Sequence, residues 1–295
     1  MYLSVGRETP GGWITFPGGT YQVDPSSNIQ RNPGEGISYD RAVNRWVAAD
    51  WNHLSPDGKR FVWGHPATAL EVVDINTGAD KAIQLPPVYG NWVVVDFTAS
   101  GVYLTLIGGL DAPEPGLWVV NPDSGQVRKL DGTQYWSAID TTAAWGVKGV
   151  GSSRVLSRLD LRTGRLSTQL TIPYHTPLQP GDMSLELIAL DAQGRPLVLL
   201  RDWQNPYPWH LAILDGPENL RPVAIPDAWT AGWPILPYSD AFQSARTVKG
   251  YLLTHGIWMI GNLSFGGIAL LGSDGVIRQL ATEPPNVYAI AGGCH

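Results

Sequence analysis

One short pattern recurs along this chain and constrains its fold more than any other feature. A hydrophobic strand runs into a tight turn rich in Asp, Asn, Thr, Ser and Gly, and a second strand follows that ends in Leu or Ile. The clearest copies are Val72-Val73-Asp74-Ile75-Asn76-Thr77-Gly78 leading to Ile83-Gln84-Leu85, and Val119-Val120-Asn121-Pro122-Asp123-Ser124-Gly125 leading to Leu130. Leu159-Asp160-Leu161-Arg162-Thr163-Gly164 leads to Leu170, and Leu270-Leu271-Gly272-Ser273-Asp274-Gly275 leads to Leu280. A degenerate copy starts at Leu214-Asp215-Gly216, and another at Trp13-Ile14-Thr15-Phe16-Pro17-Gly18-Gly19. Gly and Asn supply the left-handed backbone positions that such hairpins require.

A second hairpin precedes most copies. Its turns are Ser55-Pro56-Asp57-Gly58-Lys59, Thr98-Ala99-Ser100-Gly101, Asp191-Ala192-Gln193-Gly194 and Thr247-Val248-Lys249-Gly250, with a weaker version around Ala144-Trp145-Gly146. Each unit is then two hairpins, or four strands, with a period of ~50 residues, which is the signature of a propeller blade. The leftovers are complementary. Asn286 to Ala291 is one strand without partners of its own, and 2–5, 12–16 and 20–23 are three strands without an innermost one. The expected fold is all-β: a six-bladed β-propeller, its ring closed by one C-terminal strand plus three N-terminal strands in a shared blade, which removes exposed edges. The single domain spans 1–295, with a closing blade of 1–24 plus 285–293 and five further blades at about 40–86, 87–131, 133–173, 182–226 and 239–283. A β-sandwich or an open array of sheets is the alternative.

Ser55-Pro56-Asp57-Gly58-Lys59-Arg60-Phe61, followed by Val72 to Gly78, resembles the repeat of the TolB-like six-bladed propellers. The likeness is good in that blade and partial in the other five. It implies the fold and a tendency to extracytoplasmic, bacterial binding roles; it implies no catalytic residues. The Asp and Gly of the SPDG turn are there for backbone geometry.

Composition narrows the function classes. Net charge is −6 and charged residues make up only 16% of the chain, with no basic stripe of the kind a nucleic-acid binder carries. No apolar run reaches the ~20 residues that span a bilayer, so membrane insertion is not expected. Met1-Tyr2-Leu3-Ser4-Val5-Gly6 lacks the basic and apolar regions of a signal peptide. The expected location is extracytoplasmic, secreted or at the cell envelope, with the signal peptide absent from this chain. The one cysteine, Cys294, allows no internal disulfide and reads as part of a frayed tail.

Blade topology sorts the connections onto two faces. The short turns share one face; the long connections around 110–117, 173–183, 201–210, 226–240 and 254–267 share the other. Aromatic residues gather in the long set: Tyr174, Trp203, Tyr207, Trp209, Trp229, Trp233 and Tyr238. Trp and Tyr offer flat apolar area with a polar handle, which suits sugar rings and extended peptides. Self-packing that stiffens the loops is the competing reading. Trp46, Trp63, Trp92, Trp118 and Trp145 lie on strands and read as core between blades. Polar residues expected near the channel mouth are Asp50, His53, Asp96, Asp140, Glu186, Asp240, Gln243 and Arg246. A ring of carboxylates could bind a hard cation, although such positions often hold only water.

No G-x-S-x-G elbow, H-E-x-x-H, cysteine zinc pattern or phosphate-binding glycine loop is present. Asn262-Leu263-Ser264 matches the N-glycosylation triplet. No catalytic residue, metal ligand or cofactor is assigned. The expected role is non-catalytic binding of a glycan, peptide or protein through the aromatic loop face. A structural protein that self-associates, and a propeller hydrolase or lyase with a metal at the channel mouth, are the alternatives.

Overall fold

The computed structural model describes residues 2–5, 11–14, 21–29, 36–41, 43–63, 68–87, 90–107, 115–173, 183–191, 193–202, 209–224, 242–247, 250–259, 262–272, 277–281 and 288–290. The chain is built from antiparallel strands. Among the described residues, the only helical elements are the short 3-10 turns Pro25–Ser27 and Trp51–His53.

Three four-stranded sheets are meanders in which each strand pairs with the next. They comprise Asn91–Thr98, Gly101–Ile107, Leu117–Val120 and Val127–Asp131; then Met183–Leu190, Pro196–Asp202, Trp209–Gly216 and Asn219–Pro222; then Phe242–Thr247, Gly250–Met259, Asn262–Gly272 and Ile277–Ala281. Ala138–Ile139, Ala143–Val150, Ser153–Asp160 and Leu166–Pro173 form another sheet in the same order. The fifth four-stranded sheet is discontinuous in sequence. Tyr288–Ile290 pairs with Tyr2–Val5, which pairs with Gly11–Ile14, which pairs with Tyr21–Val23. Leu3 lies opposite Ile290 and Val5 opposite Tyr288, so strands from the two ends of the chain are antiparallel neighbours.

The segment from 38 to 84 departs from the four-stranded expectation. Ser38–Asp40 and Arg45–Val47 make a separate two-stranded hairpin, and Arg60–Val62, Ala69–Asp74 and Asp80–Gln84 make a three-stranded sheet. Where an innermost strand was expected, Asp50-Trp51-Asn52-His53 turns as a 3-10 helix, and only the single bridge Leu54↔Phe61 reaches the sheet. Asp and Asn compete with ladder hydrogen bonds through their own side chains and favour turns. The Asn52 amide reaches out of the turn to the neighbouring sheet, donating to the Val95 carbonyl at 3.1 Å.

The chain divides into two compact units, Met1–Pro25, Gly149–Leu156 and Thr168–His295 in one, and Ser26–Lys148 and Ser157–Ser167 in the other. The core of the second shows how its sheets pack. Val62, Leu70, Val72 and Ile83 of the three-stranded sheet meet Trp92, Val94, Phe97, Val102, Leu104 and Trp118 of the next. Trp92 is 1% exposed and meets Trp118 edge-on, with ring centroids 4.7 Å apart. The opposite face of the same sheet presents Val95, Tyr103 and Leu117 to Trp136, Ile139 and Ala144. A bulge supplies this two-sidedness. Tyr103 pairs with Asp96 and Leu104 with Val94, which leaves Val95 as the extra residue and returns Phe97 to the face of Trp92. Trp46 and Trp145 are also buried, and Trp63 is half-buried against Phe61.

Candidate functional site

In a meander the first and third turns fall at one end of the sheet, and the second connection and the crossover fall at the other. The two ends differ in their chemistry. At the turn end, Asp74 Oδ1 accepts from the backbone N–H of Asn76 (3.0 Å) and Thr77 (2.8 Å) and from the Thr77 hydroxyl (2.9 Å). Gly78 N–H returns to the Asp74 carbonyl at 2.9 Å, with Gly78 at φ +70°. Asp160 repeats this arrangement with Arg162 and Thr163, and Asn121 accepts the two backbone bonds, from Asp123 and Ser124 N–H. Gly125 and Gly164 repeat the φ at +75° and +70°. An L-residue with a Cβ is penalised in that left-handed region, so glycine is demanded there.

The Ser55–Gly58 turn that leads into Arg60–Val62 is closed by similar bonds. The Ser55 hydroxyl donates to Asp57 Oδ1 (2.7 Å) and accepts from Arg60 N–H (2.9 Å), with Gly58 at φ +65°. The two turns of a sheet also bond to each other. Ile75 N–H donates to the Lys59 carbonyl, and Leu161 N–H to that of Thr142, each at 2.8 Å. Neighbouring sheets are joined at this end too: Arg60 Nη1 reaches Asp123 at 2.6 Å, and Lys81 Nζ reaches the Asp123 carbonyl at 2.6 Å.

The 183–222 sheet closes its turn end differently. Its outer turn lacks the Thr-Gly pair, and Glu218 takes φ +58°. Asp191, fully buried, accepts at Oδ1 from Gln193 and Arg195 N–H and at Oδ2 from the Arg195 guanidinium, with both Nε and Nη2 at 2.7 Å. Arg195 Nη1 also bonds Asp215 (3.0 Å), and Arg221 Nε holds the other Asp215 oxygen (2.7 Å). A buried carboxylate is tolerated only when paired and hydrogen-bonded in this way.

These bonds favour the charged carboxylates. Asp57 is held below the usual carboxylate range chiefly by the Ser55 hydroxyl. Asp74 is held down chiefly by the Thr77 N–H, Asp160 by the Thr163 hydroxyl, and Asp215 by its bond from Arg221. Burial pushes the Tyr103 phenol up.

The opposite end is described most fully at the crossover from Val127–Asp131 to Ala138–Ile139. Asp131 accepts from Thr133 N–H (2.8 Å) and from the Trp136 indole N–H (3.1 Å). Trp136 N–H donates to the Thr105 hydroxyl (3.2 Å), which donates to the Gly116 carbonyl (2.9 Å). Ser137 N–H donates to the Trp145 carbonyl at 2.9 Å. Between these anchors Gln134 is buried at 2% exposure and Tyr135 is exposed at 38%. The loop passes over Gly146, where a Cβ would collide with the Tyr135 carbonyl and stand 2.9 Å from Gln134 Nε2.

The expected site residues fall as follows. Tyr174, Trp203, Tyr207, Trp229, Trp233, Tyr238 and Asp240 lie outside the described residues. Trp209 opens a strand opposite Arg201; Gln243 and Arg246 lie on Phe242–Thr247, opposite Thr254 and Tyr251. Asp50 is exposed at the start of the 3-10 turn, and His53 is buried at its end with its backbone N–H on the Asp50 carbonyl (3.0 Å). Asp96 and Glu186 are half-buried mid-strand, opposite Tyr103 and Leu199. Asp140 sits at a turn. The inner turn of its sheet is Asp140-Thr141-Thr142, whereas Ala144-Trp145-Gly146, expected as that turn, lies inside Ala143–Val150. The Asp140 carboxylate accepts from Thr142 N–H, the Thr142 hydroxyl, Ala143 N–H and the Trp145 indole. It is therefore spent on the turn end rather than turned to a ligand. The Asp-Thr-Thr triplet carried that signal, being the same side-chain chemistry as Asp74 to Thr77. Among the described residues, no three His, Cys, Asp or Glu side chains converge to hold a metal. Gln134 and Trp136 were not singled out from sequence; the Asp131-Gly132-Thr133 turn beside them was the available clue.

No protein-family model matches the sequence, and no curated protein matches it. Solved structures do. A protein from Lactobacillus plantarum is 13% identical, matched over 98% of each chain with a TM-score of 0.50. An oligogalacturonate lyase in complex with manganese is 13% identical over 78% of this chain and 63% of that one, with a TM-score of 0.51. TolB from Acinetobacter baumannii is 14% identical with a TM-score of 0.47; 80% of this chain covers 54% of TolB, about half its length. At these identities the likeness is one of fold. The class is an all-β fold of propeller type, and the chain resembles TolB-like propellers at low identity.

Proposed function

We propose that this chain is a six-bladed, ring-closed binding propeller. Its blades are 1–24 with 285–293, then 40–86, 87–131, 133–173, 182–226 and 239–283. It works outside the cytoplasm and takes a glycan, peptide or protein on its long-loop end without catalysing a reaction. Pairing of Tyr288–Ile290 with Tyr2–Val5 supports the closed ring. The observation that carries the binding role is the contrast between sheet ends: the turn end spends its polar groups on itself, while the long connections carry Tyr174, Trp203, Tyr207, Trp209, Trp229, Trp233 and Tyr238. Loops on a rigid scaffold are where binding commonly resides.

A glycan array and a peptide and protein pull-down test the reading. The wild type retains a partner, and Trp203→Ala, Trp209→Ala and Trp233→Ala together remove it. Unchanged binding by the triple variant would mean that the wrong end has been chosen. Thermal melts with Ca²⁺, Mn²⁺, Mg²⁺ and Zn²⁺ address the metal-dependent alternative, and light scattering addresses self-association.

A further inference from the structure

The hairpin of Gly250–Met259 and Asn262–Gly272 outgrows its own sheet. Phe242–Thr247 accompanies it only as far as Phe242 opposite His255, and Ile277–Ala281 only as far as Ala281 opposite Ile268. Beyond both neighbours the hairpin continues as an arm of further pairs: Gly256↔Phe265, Ile257↔Ser264, Trp258↔Leu263 and Met259↔Asn262. Among the described residues, no third strand lies beside these pairs. The arm starts at a bulge, because His255 pairs with Gly267 and Gly256 with Phe265, leaving Gly266 as the extra residue. Its backbone alternation follows from its turn. Met259 and Asn262 flank the two-residue turn Ile260-Gly261, so that pair exchanges backbone bonds, as does Ile257 with Ser264. Leu263 and Phe265 therefore direct their N–H and C=O to the open edge. Native edges are normally guarded by charge or proline, yet no Asp, Glu, Lys, Arg or Pro occurs from Gly250 to Ser273. The chain after Ala281 soon reaches Pro284-Pro285, which have no N–H to extend a ladder along that edge.

We propose that this arm pairs with the same arm of a second copy, antiparallel through Leu263-Ser264-Phe265, in a two-fold dimer. With Ser264 on the axis, Leu263 exchanges both backbone bonds with Phe265 of the second copy, and Phe265 does so with Leu263 of the second copy. The two hairpins then form one four-stranded sheet. Register also assigns the faces. Trp258 and Leu263 are opposite each other, as are Gly256 and Phe265, so Trp258, Leu263 and Phe265 share one face of the arm. Pairing joins that face to its copy and sets Leu263 against Phe265, an aliphatic–aromatic cross-strand pair of the stabilising kind. Charge selects a second copy as the occupant. Each chain carries −6, and like charges oppose contact between two of them. The uncharged run Gly250–Ser273 is where they meet without that opposition. A basic partner drawn by the net charge finds no carboxylate in this run. Three paired residues per copy fall short of the ~800 Å² per partner of a standard interface, so the dimer is weak and exchanges at micromolar concentrations. No ligand enters this inference, and it stands apart from the role proposed for the aromatic loops.

Sedimentation equilibrium of the full chain, from low micromolar to several hundred micromolar, reads the assembly state. The wild type is expected to pass from monomer to dimer over that range. Ser264→Lys and Ser264→Asp each place like charges across the axis and should weaken the dimer tenfold or more. An equimolar mixture of the two places opposite charges there and should dimerise at least as well as the wild type. A milder change reads the register directly. Ser264 faces its copy as a pair without backbone bonds, where side chains stand closest, so Ser264→Cys in a Cys294→Ser background should give a covalent dimer on mild oxidation. The proposal is overturned if the wild type stays monomeric or grows past a dimer, or if either charged variant alone dimerises as the wild type does. It is equally overturned if the mixture stays monomeric or if Ser264→Cys fails to cross-link.

Discussion

The turn at Asp74 to Gly78 and the crossover at Asp131 to Ser137 are both organised by one aspartate, yet they end differently. In the turn, Asp74 collects three donors, and Gly78 and Ala79 N–H close on the Asp74 carbonyl and the Thr77 hydroxyl. In the crossover, Asp131 holds Thr133 and Trp136, and of the two residues between them Gln134 is buried with its amide unspent. Chemistry that is internally complete serves the fold. Chemistry left incomplete at a buried position is a cost to the fold, and function is the reason to look for.

The contrast breaks most readily where burial is greatest. Trp92→Ala should cost about 3–5 kcal/mol in urea unfolding by opening a cavity, and Asp191→Ala about 2–4 kcal/mol by removing the acceptor of the Gln193 and Arg195 N–H groups and one of the two carboxylates on the Arg195 guanidinium. A cost under ~1 kcal/mol for Asp191→Ala would show that the Arg195 network is ornamental. Next in size, Gly78→Ala, Gly125→Ala and Gly164→Ala should each cost about 1–2 kcal/mol, because each φ lies in the left-handed region. Gly151→Ala, at φ +56° in the hairpin after Ala143–Val150, provides a matched control outside the repeated turns. If it costs as much as the three, backbone conformation alone explains them.

The smallest effect is in pH. Asp57, Asp74, Asp160 and Asp215 have folded pKa values below their unfolded value of ~3.9. Each therefore contributes stability that is present above that value and is lost as pH falls through the folded one. Chemical denaturation from pH 6 to pH 2 should show a flat region and then a fall beginning near pH 4. Replacing Thr77 and Thr163 by Val should make the fall shallower. An unchanged profile in that double variant would separate the hydroxyl bonds from the acid response.

The turn end was the more legible in sequence, because local chemistry sets it. Asp or Asn followed by Thr or Ser and then Gly specifies both the side-chain acceptor and the left-handed residue within five positions. Tyr288–Ile290 beside Tyr2–Val5 was legible for another reason: three strands at one end of the chain lacked a partner that the other end carried. In the 38–84 region the 3-10 turn at Trp51–His53 stands between the Ser38–Val47 hairpin and the Arg60–Gln84 sheet, where an innermost strand was expected. Asp140 was misplaced because a strand start and a turn start look alike when the innermost strand is only Ala138–Ile139. For Gln134 the local clue is only the Asp131-Gly132-Thr133 turn beside it. Its burial arises from the approach of the crossover to Gly146, a tertiary contact between residues twelve positions apart.

If one end of these sheets is scaffold and the other receives a ligand, hydrogen–deuterium exchange with and without the partner retained by the glycan array or pull-down separates them. New protection is expected in 131–137, 203–209 and 229–238, with no change in 55–59, 74–78, 121–125 and 160–164. Protection confined to those four turns would contradict it.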